Sequence, residues 1–262
     1  MDRRSFLSWS GTAAAALALS ASTQTHEHMQ IKIKAILFDG FAIFDSRSVA
    51  ALAMRLYPEK GNDLVREWRI RQFEYSWLRT LSNSYLDFLT IIGDALVFAA
   101  DLLQIKMTRA EQDQLVDGYY HLRPWPGVPE MLMKLKTSGY RLGVLSNFTG
   151  QMLNINVANG HLEGLFEQLI SVETVMKYKP DPATYQMGMK AFHLSRGDIL
   201  FVPFAGWDAA GAKTFGYTTF WANYLQSPVE ELGAKPDGIG KDINDLWAYL
   251  KTGPQTSAST LH

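Results

Sequence analysis

Two aspartates, a lysine and a serine–asparagine pair stand where a carboxylate nucleophile and its support could be assembled. Asp39 closes an apolar run, Ala35-Ile36-Leu37-Phe38, and is followed by glycine. A carboxylate at the end of such a run is costly to bury unless it is paired or opens on a cleft. Asp-Gly is also ordinary turn or cap chemistry, and alone that reading would be preferred. Ser146 and Asn147 close a second apolar run with a hydroxyl and an amide. Such groups can hold a substrate carboxylate or a developing charge, or simply make a turn. Lys179, in Tyr178-Lys179-Pro180-Asp181, sets a compact cation in a Pro-stiffened loop, although most lysines lie on surfaces. Asp208, in Gly206-Trp207-Asp208-Ala209-Ala210-Gly211, stands where a strand gives way to a small-residue helix and could equally be its N-cap.

The elements around these residues follow from hydrophobic rhythm. A strand ends at Asp39. From about Ser46 to Arg123 the pattern is helical throughout, with Leu64, Trp68, Phe73, Trp77 and Leu81 in one stripe. Leu86, Phe88, Leu89, Ile92, Leu96 and Leu102 form another, and Thr108 with Glu111 resembles a capping box. Beyond Pro124 strands alternate with helices. A helix opens near 126–129, and strands are expected at 140–147, 166–172, 199–204 and 218–222. Helices are expected near 150–160, 182–193 and 208–215. This alternation predicts an α/β fold: a doubly wound parallel sheet, a Rossmann-like core, with an inserted helical cap domain. The expected boundaries are 31–45 and 124–251 for the core and 46–123 for the cap. In such sheets ligands sit beyond the carboxyl ends of the strands, which brings Asp39, Ser146, Asn147, Lys179 and Asp208 together.

At 262 residues, 47% hydrophobic and with a net charge of −1, the chain reads as globular, with no field to attract nucleic acid or an anionic membrane. Having no cysteine, it forms no disulfide and no thiolate metal site. Residues 1–21 carry Arg3-Arg4-Ser5-Phe6-Leu7 and then a short alanine-rich apolar run, the pattern of a twin-arginine signal peptide. The expected mature protein is periplasmic and free of the membrane. Residues 22–30 read as a linker and 252–262 as a disordered tail.

Four strand-end positions in this order resemble the motifs of the haloacid dehalogenase superfamily: Asp, Ser or Thr, Lys, and acid. Within it, Trp68-Arg69 followed by Phe73-Glu74-Tyr75-Ser76-Trp77-Leu78-Arg79 looks like the L-2-haloacid dehalogenases, the type II branch. Over residues 31–250 the resemblance implies a homodimeric hydrolase. It would convert small L-2-haloalkanoic acids to 2-hydroxy acids with water, without cofactor or metal, through an aspartyl ester. It implies Asp39 as nucleophile, Arg69 and Asn147 as halide ligands, and Ser146 as carboxylate ligand. Lys179 would keep Asp39 ionised, with Asp208 holding Lys179 and orienting water. Phe41, Phe73, Phe88 and Trp207 match the family's apolar wall, and Tyr185 a tyrosine of its site. Plain packing is the alternative for these aromatics, more so for Phe88 than for Phe41.

The chain departs from the family pattern in its first and fourth motifs. Gly40-Phe41-Ala42-Ile43 is one residue shorter than the family's segment and lacks its threonine. Pro203-Phe204-Ala205-Gly206 stands where the family has Ser-Ser-Asn-Ala. These losses bear mainly on hydrolysis of the ester. Phe41 stands where a phosphatase of the superfamily has its acid, and one aspartate at the fourth motif would leave a magnesium site poor in oxygen ligands. Two further readings stay open: a divergent phosphatase-like hydrolase, and a catalytically weakened protein that binds small carboxylates.

Overall fold

The computed structural model describes residues 33–252. The expected leader, linker and tail lie outside these residues, except for Thr252. The first strand, β1 (Ala35–Phe38), is buried along its whole length. One helical turn, α1 (Gly40–Ile43), and a two-residue strand, β2 (Phe44–Asp45), follow. Next come α2 (Arg47–Leu56), α3 (Gly61–Leu81), α4 (Phe88–Leu102) and α5 (Arg109–Asp117). The chain returns through β3 (Arg123–Pro124), which pairs antiparallel with β2. It continues with α6 (Val128–Thr137), β4 (Arg141–Ser146), α7 (Gly150–Asn159), β5 (Gln168–Ser171) and α8 (Pro182–Phe192). The last elements are β6 (Ile199–Val202), α9 (Gly206–Phe215), β7 (Thr218–Ala222), β8 (Gly238–Gly240) and α10 (Leu246–Thr252).

The main sheet has six strands in the order β5-β4-β1-β6-β7-β8, and every neighbouring pair is parallel. From β1 the chain winds out through β4 to β5, then crosses to β6 on the other side and on to β7 and β8. The switch of direction therefore lies at β1, whose carboxyl end is the expected ligand crevice. Phe38 is level with Val144 of β4 and Val202 of β6, and the Asp39 N–H donates to the Val202 carbonyl at 3.0 Å. Asp39 is thus fixed at the centre of that edge.

Helices α2 to α5 all leave and rejoin the core through the paired β2 and β3. Their packing follows the apolar stripes: Leu64 and Trp68 of α3 are buried, as are Phe88, Ile92 and Leu96 of α4. The Trp68 indole donates to the Ile92 carbonyl at 2.8 Å, which fixes α3 against α4. Leu81 and Leu102 depart from the stripe, at 80% and 54% exposed, because both end their helices beyond the partner's reach. The capping box forms as expected, with Thr108 and Glu111 each bonding the other's backbone N–H. Among the described residues no helix is long and apolar enough to cross a membrane.

Strand β8 and helix α10 have no counterpart among the expected elements. The β8 sequence Gly-Ile-Gly carries no strand signal, yet its glycines are what the packing needs. A Cβ on Gly240 would stand 2.5 Å from the Phe220 ring, and one on Gly238 would stand 2.6 Å from that of Tyr249. The small residues let β8 lie against two aromatic side chains.

Candidate active site

The turn after β1 shapes the site first. Asp39 is the N-cap of α1, its Oδ2 accepting the Phe41 N–H at 3.1 Å. The cap reading and the site reading of this aspartate are therefore both true. Gly40 makes the tight turn feasible, since a Cβ there would fall 2.5 Å from Ser146 Oγ.

The other oxygen of Asp39, Oδ1, accepts from Lys179 Nζ at 2.6 Å, and the same ammonium donates to Asp208 Oδ2 at 2.6 Å. Asp208 Oδ1 accepts from the Tyr185 hydroxyl at 2.7 Å. Asp208 is in the first turn of α9, whose N-cap is Ala205, so the aspartate does not cap that helix. The Lys179 backbone is clamped from two sides: its N–H donates to Asn147 Oδ1 at 3.2 Å, and its carbonyl accepts from the Trp77 indole at 3.2 Å. Asn147 therefore turns its amide nitrogen, a donor, away from this bond.

All three charged groups are buried, Asp39 at 6% exposure and Lys179 and Asp208 at 1% each. Burial alone would lower the Lys179 pKa, but the two carboxylates outweigh it and hold the ammonium above its usual value. Burial dominates at Asp208, whose pKa is pushed up to about 6 against the pull of Lys179. A buried chain of this kind contributes little net stability but is costly to break.

A second cation faces the same edge from α3. Arg69 Nη1 donates to Ser46 Oγ at 3.3 Å, and its guanidinium lies 5.6 Å from the Phe41 ring and 5.1 Å from that of Phe204. Among the described residues it has no carboxylate within ion-pairing distance. Burial lowers its pKa, yet a guanidinium stays charged. With one of its five N–H donors so engaged, it is an anion receptor backed by aromatic faces. Counting Arg69, Lys179, Asp39 and Asp208 together, the site carries two positive and two negative charges and is neutral before any ligand arrives.

Asp39, Asp208 and Asn147 open on one enclosed cavity, walled by Phe41, Phe73, Phe204, Ala205 and Trp207. The cavity volume is about 10 Å³, room for about one water. Phe73 meets Trp207 edge-on at 5.2 Å, and Trp77 meets Trp207 edge-on at 5.4 Å, so aromatic side chains of α3 and α9 close the site. Among the described residues no three His, Asp or Glu side chains converge as a metal-binding group.

Lys179 and Arg69 border the site without lining the cavity itself, and three further expected site residues lie elsewhere. The Ser146 hydroxyl accepts the Phe148 N–H at 3.1 Å and packs beneath Gly40, so it shapes its own turn and does not wall the cavity. Phe88 is fully buried, stacked on Phe148 at 6.2 Å and tilted against Tyr178 at 5.9 Å, a packing residue between α4 and the core. Tyr185 stands behind Asp208 and orients it without reaching the cavity. Ala205 and Phe204 form cavity wall, and Phe204 is not among the expected site residues. Their position just past β6, where β1 and β4 also end, was the available signal. Trp77 likewise emerges as a clamp on the Lys179 loop.

The haloacid dehalogenase-like hydrolase family matches residues 82–222 of the chain. Haloacetate dehalogenase H-2 of Moraxella sp. (strain B) is 39% identical over 206 residues, covering 78% of this chain and 92% of the relative. A crystal structure of an L-2-haloacid dehalogenase superposes with a TM-score of 0.82 at 38% identity, covering 84% of this chain and 99% of its own. The L-2-haloacid dehalogenase from Xanthobacter autotrophicus, solved with chloropropionic acid covalently bound, gives a TM-score of 0.74 at 28% identity and covers 84% and 98%.

Proposed function

The chain belongs to the haloacid dehalogenase-like hydrolases, in the L-2-haloacid dehalogenase branch, and from that premise we propose that it hydrolyses short L-2-haloalkanoic acids to 2-hydroxy acids. The observation that carries this reading is the Asp39–Lys179–Asp208 chain, 2.6 Å at each link, beneath a cationic Arg69 free of any carboxylate partner among the described residues. A carboxylate held charged in an apolar cavity suits displacement at carbon, which needs neither a proton donor for the leaving group nor a Lewis acid.

Asp39 Oδ2 is the attacking oxygen, because its donor, the Phe41 N–H, carries no net charge and stands at 3.1 Å, against 2.6 Å for the ammonium at Oδ1. It forms a C–O bond to C2 of the substrate as the carbon–halogen bond breaks, and the bonding pair leaves with the halide toward Arg69 and the Asn147 amide. Lys179 steadies the ester carbonyl through Oδ1. Water then adds to the carbonyl carbon of Asp39 and gives one proton to Asp208; as the Cγ–Oδ2 bond breaks, the departing alkoxide oxygen takes the second proton of that water, and Asp208 returns its own to solvent. The products are halide, a proton and a 2-hydroxy acid of inverted configuration, and Asp39 is restored. A base near pKa 6 is well matched to work at neutral pH.

The wall at Phe204 and Ala205 offers water no side-chain partner, and losing one positioned donor costs about a hundredfold or more. Chloride release from L-2-chloropropionate is therefore expected as a burst approaching one per chain, then a slow phase, unchanged by a chelator. Rapid-quench sampling checks it. A linear course places the slow step elsewhere, and activity lost to chelator and regained with magnesium favours a phosphatase-like metal site instead.

The pH profile gives a further test. As pH falls through about 6, Asp208 takes up a proton, its ion pair with Lys179 is lost and turnover should fall. The same proton uptake favours the fold, because a buried acid of raised pKa stabilises below its unfolded value and loses that contribution as pH rises through the folded one. The acid limb should thus appear without a matching drop in thermal stability from this group. A profile flat from pH 5 to 8 would remove Asp208 from the rate equation.

A further inference from the structure

Trp207 is a wall shared by two cavities of very different size. On one side is the catalytic cavity of about 10 Å³; on the other is a surface groove of about 270 Å³ in the same measure. The groove is lined by Pro180, Pro182, Ala210, Thr214, Phe215 and Leu232, with no ionisable side chain among them. Its floor is α9, which presents Ala210, Thr214 and the bare backbone of Gly211. Gly211 cannot grow: a Cβ there would stand 2.6 Å from Pro180 and 2.7 Å from the Tyr185 hydroxyl. On the cavity side the indole is held by Phe73 at 5.2 Å and Trp77 at 5.4 Å.

We propose that Trp207 is the chain-length gate of the site, and that the groove behind it is a latent pocket for the alkyl chain of a 2-substituted carboxylic acid. The inference rests on the dehalogenase reading for its substrate class. The carboxylate and the reacting carbon of such an acid belong on the cavity side, over Asp39 and Asn147, with Arg69 beside Phe41 and Phe204 left for the halide. An alkyl chain directed away from those charges runs into the indole, and beyond the indole into an uncharged trough. The cavity as it stands has room for about one water, so even an acid of two or three carbons needs the cap helices to part, and Trp207 then stops any longer chain. With the partition removed the two spaces join, and each further methylene enters apolar surroundings.

Binding of the non-reacting 2-hydroxyalkanoates, measured by calorimetry on the full chain, tests this without turnover. Wild type should bind 2-hydroxyhexanoate no more tightly than 2-hydroxypropionate. In Trp207→Ala the affinity should climb about fourfold per added methylene, the gain expected from burying one CH₂. Adding Thr214→Trp should fill the groove and abolish the climb while leaving 2-hydroxypropionate binding unchanged. Trp207→Leu reads the same ratio if the alanine variant folds poorly. The proposal is overturned if long and short acids gain equally, if the climb survives Thr214→Trp, or if neither protein binds any member of the series. Chloride release by wild type from 2-chloropropionate is scored separately. A climb without release would sink the dehalogenase reading and keep the gate; release without a climb would do the reverse.

Discussion

Replacing Asp39 with asparagine is expected to lower halide release at least about ten-thousandfold, because an amide has no anionic oxygen to displace halide. The same change tests how the site is wired. Asp39 accepts from two donors at once, Lys179 Nζ at Oδ1 and the Phe41 N–H at Oδ2. An amide offers one oxygen and one NH₂, so it can satisfy only one of them. The variant should stay folded, with the β1 edge intact, while either the α1 cap or the lysine contact is lost. The substituted asparagine would precede Gly40, a pairing prone to deamidation that regenerates aspartate, so Asp39→Ala is the companion variant. Chloride assay and circular dichroism on fresh protein read both. Folded protein of either kind retaining more than about a hundredth of wild-type release would remove Asp39 from the chemistry, given how much a nucleophile contributes.

Lys179→Met should act on activity and stability together. Its ammonium is the one bond shared by Asp39 and Asp208, and all three groups are buried. Removing it leaves two unpaired carboxylates in the core, a change that costs about 3–5 kcal/mol when a buried pair is broken from one side. For a protein of this size that corresponds to a fall in Tm of roughly 6–20 °C. The penalty should be larger at pH 8 than at pH 5, where protonation relieves the carboxylates. Turnover should drop by about a hundred- to a thousandfold, the usual effect of losing one positioned electrostatic group. Differential scanning calorimetry at both pH values, with chloride assays alongside, checks these outcomes. A variant as stable as wild type at pH 8 would mean that the buried carboxylates find other partners.

What could be read from the sequence divides along physical lines. The parallel sheet was legible because strands buried on both faces, such as β1 and β6, are unbroken apolar runs separated by helical periodicity. The carboxylate chain was legible because Asp39 and Asp208 each follow a strand, and the crevice at the carboxyl edge of a parallel sheet collects what stands at strand ends. Thr108 was legible because a capping box is a purely local device. Side-chain direction was not. Whether Ser146 faces the cavity or its own turn depends on the approach of Gly40, a contact between distant parts of the chain. The segment Pro203-Phe204-Ala205 reads as a loss of polar support, whereas the fold uses Phe204 as an aromatic face beside Arg69. Strand β8 was invisible because glycine weakens a strand signal even where close packing requires it.

Formation of an ester on Asp39 is the step on which the chemistry turns, and one labelling measurement addresses it directly. Enzyme in molar excess over L-2-chloropropionate is allowed a single turnover in water enriched in heavy oxygen. The Asp39 peptide and the 2-hydroxypropionate are then weighed by mass spectrometry. Label in the Asp39 side chain with unlabelled product is the expected result, because water enters at the ester carbonyl. Label in the product with an unlabelled Asp39 would mean that water displaces the halide itself, and the nucleophilic role of this carboxylate would be wrong.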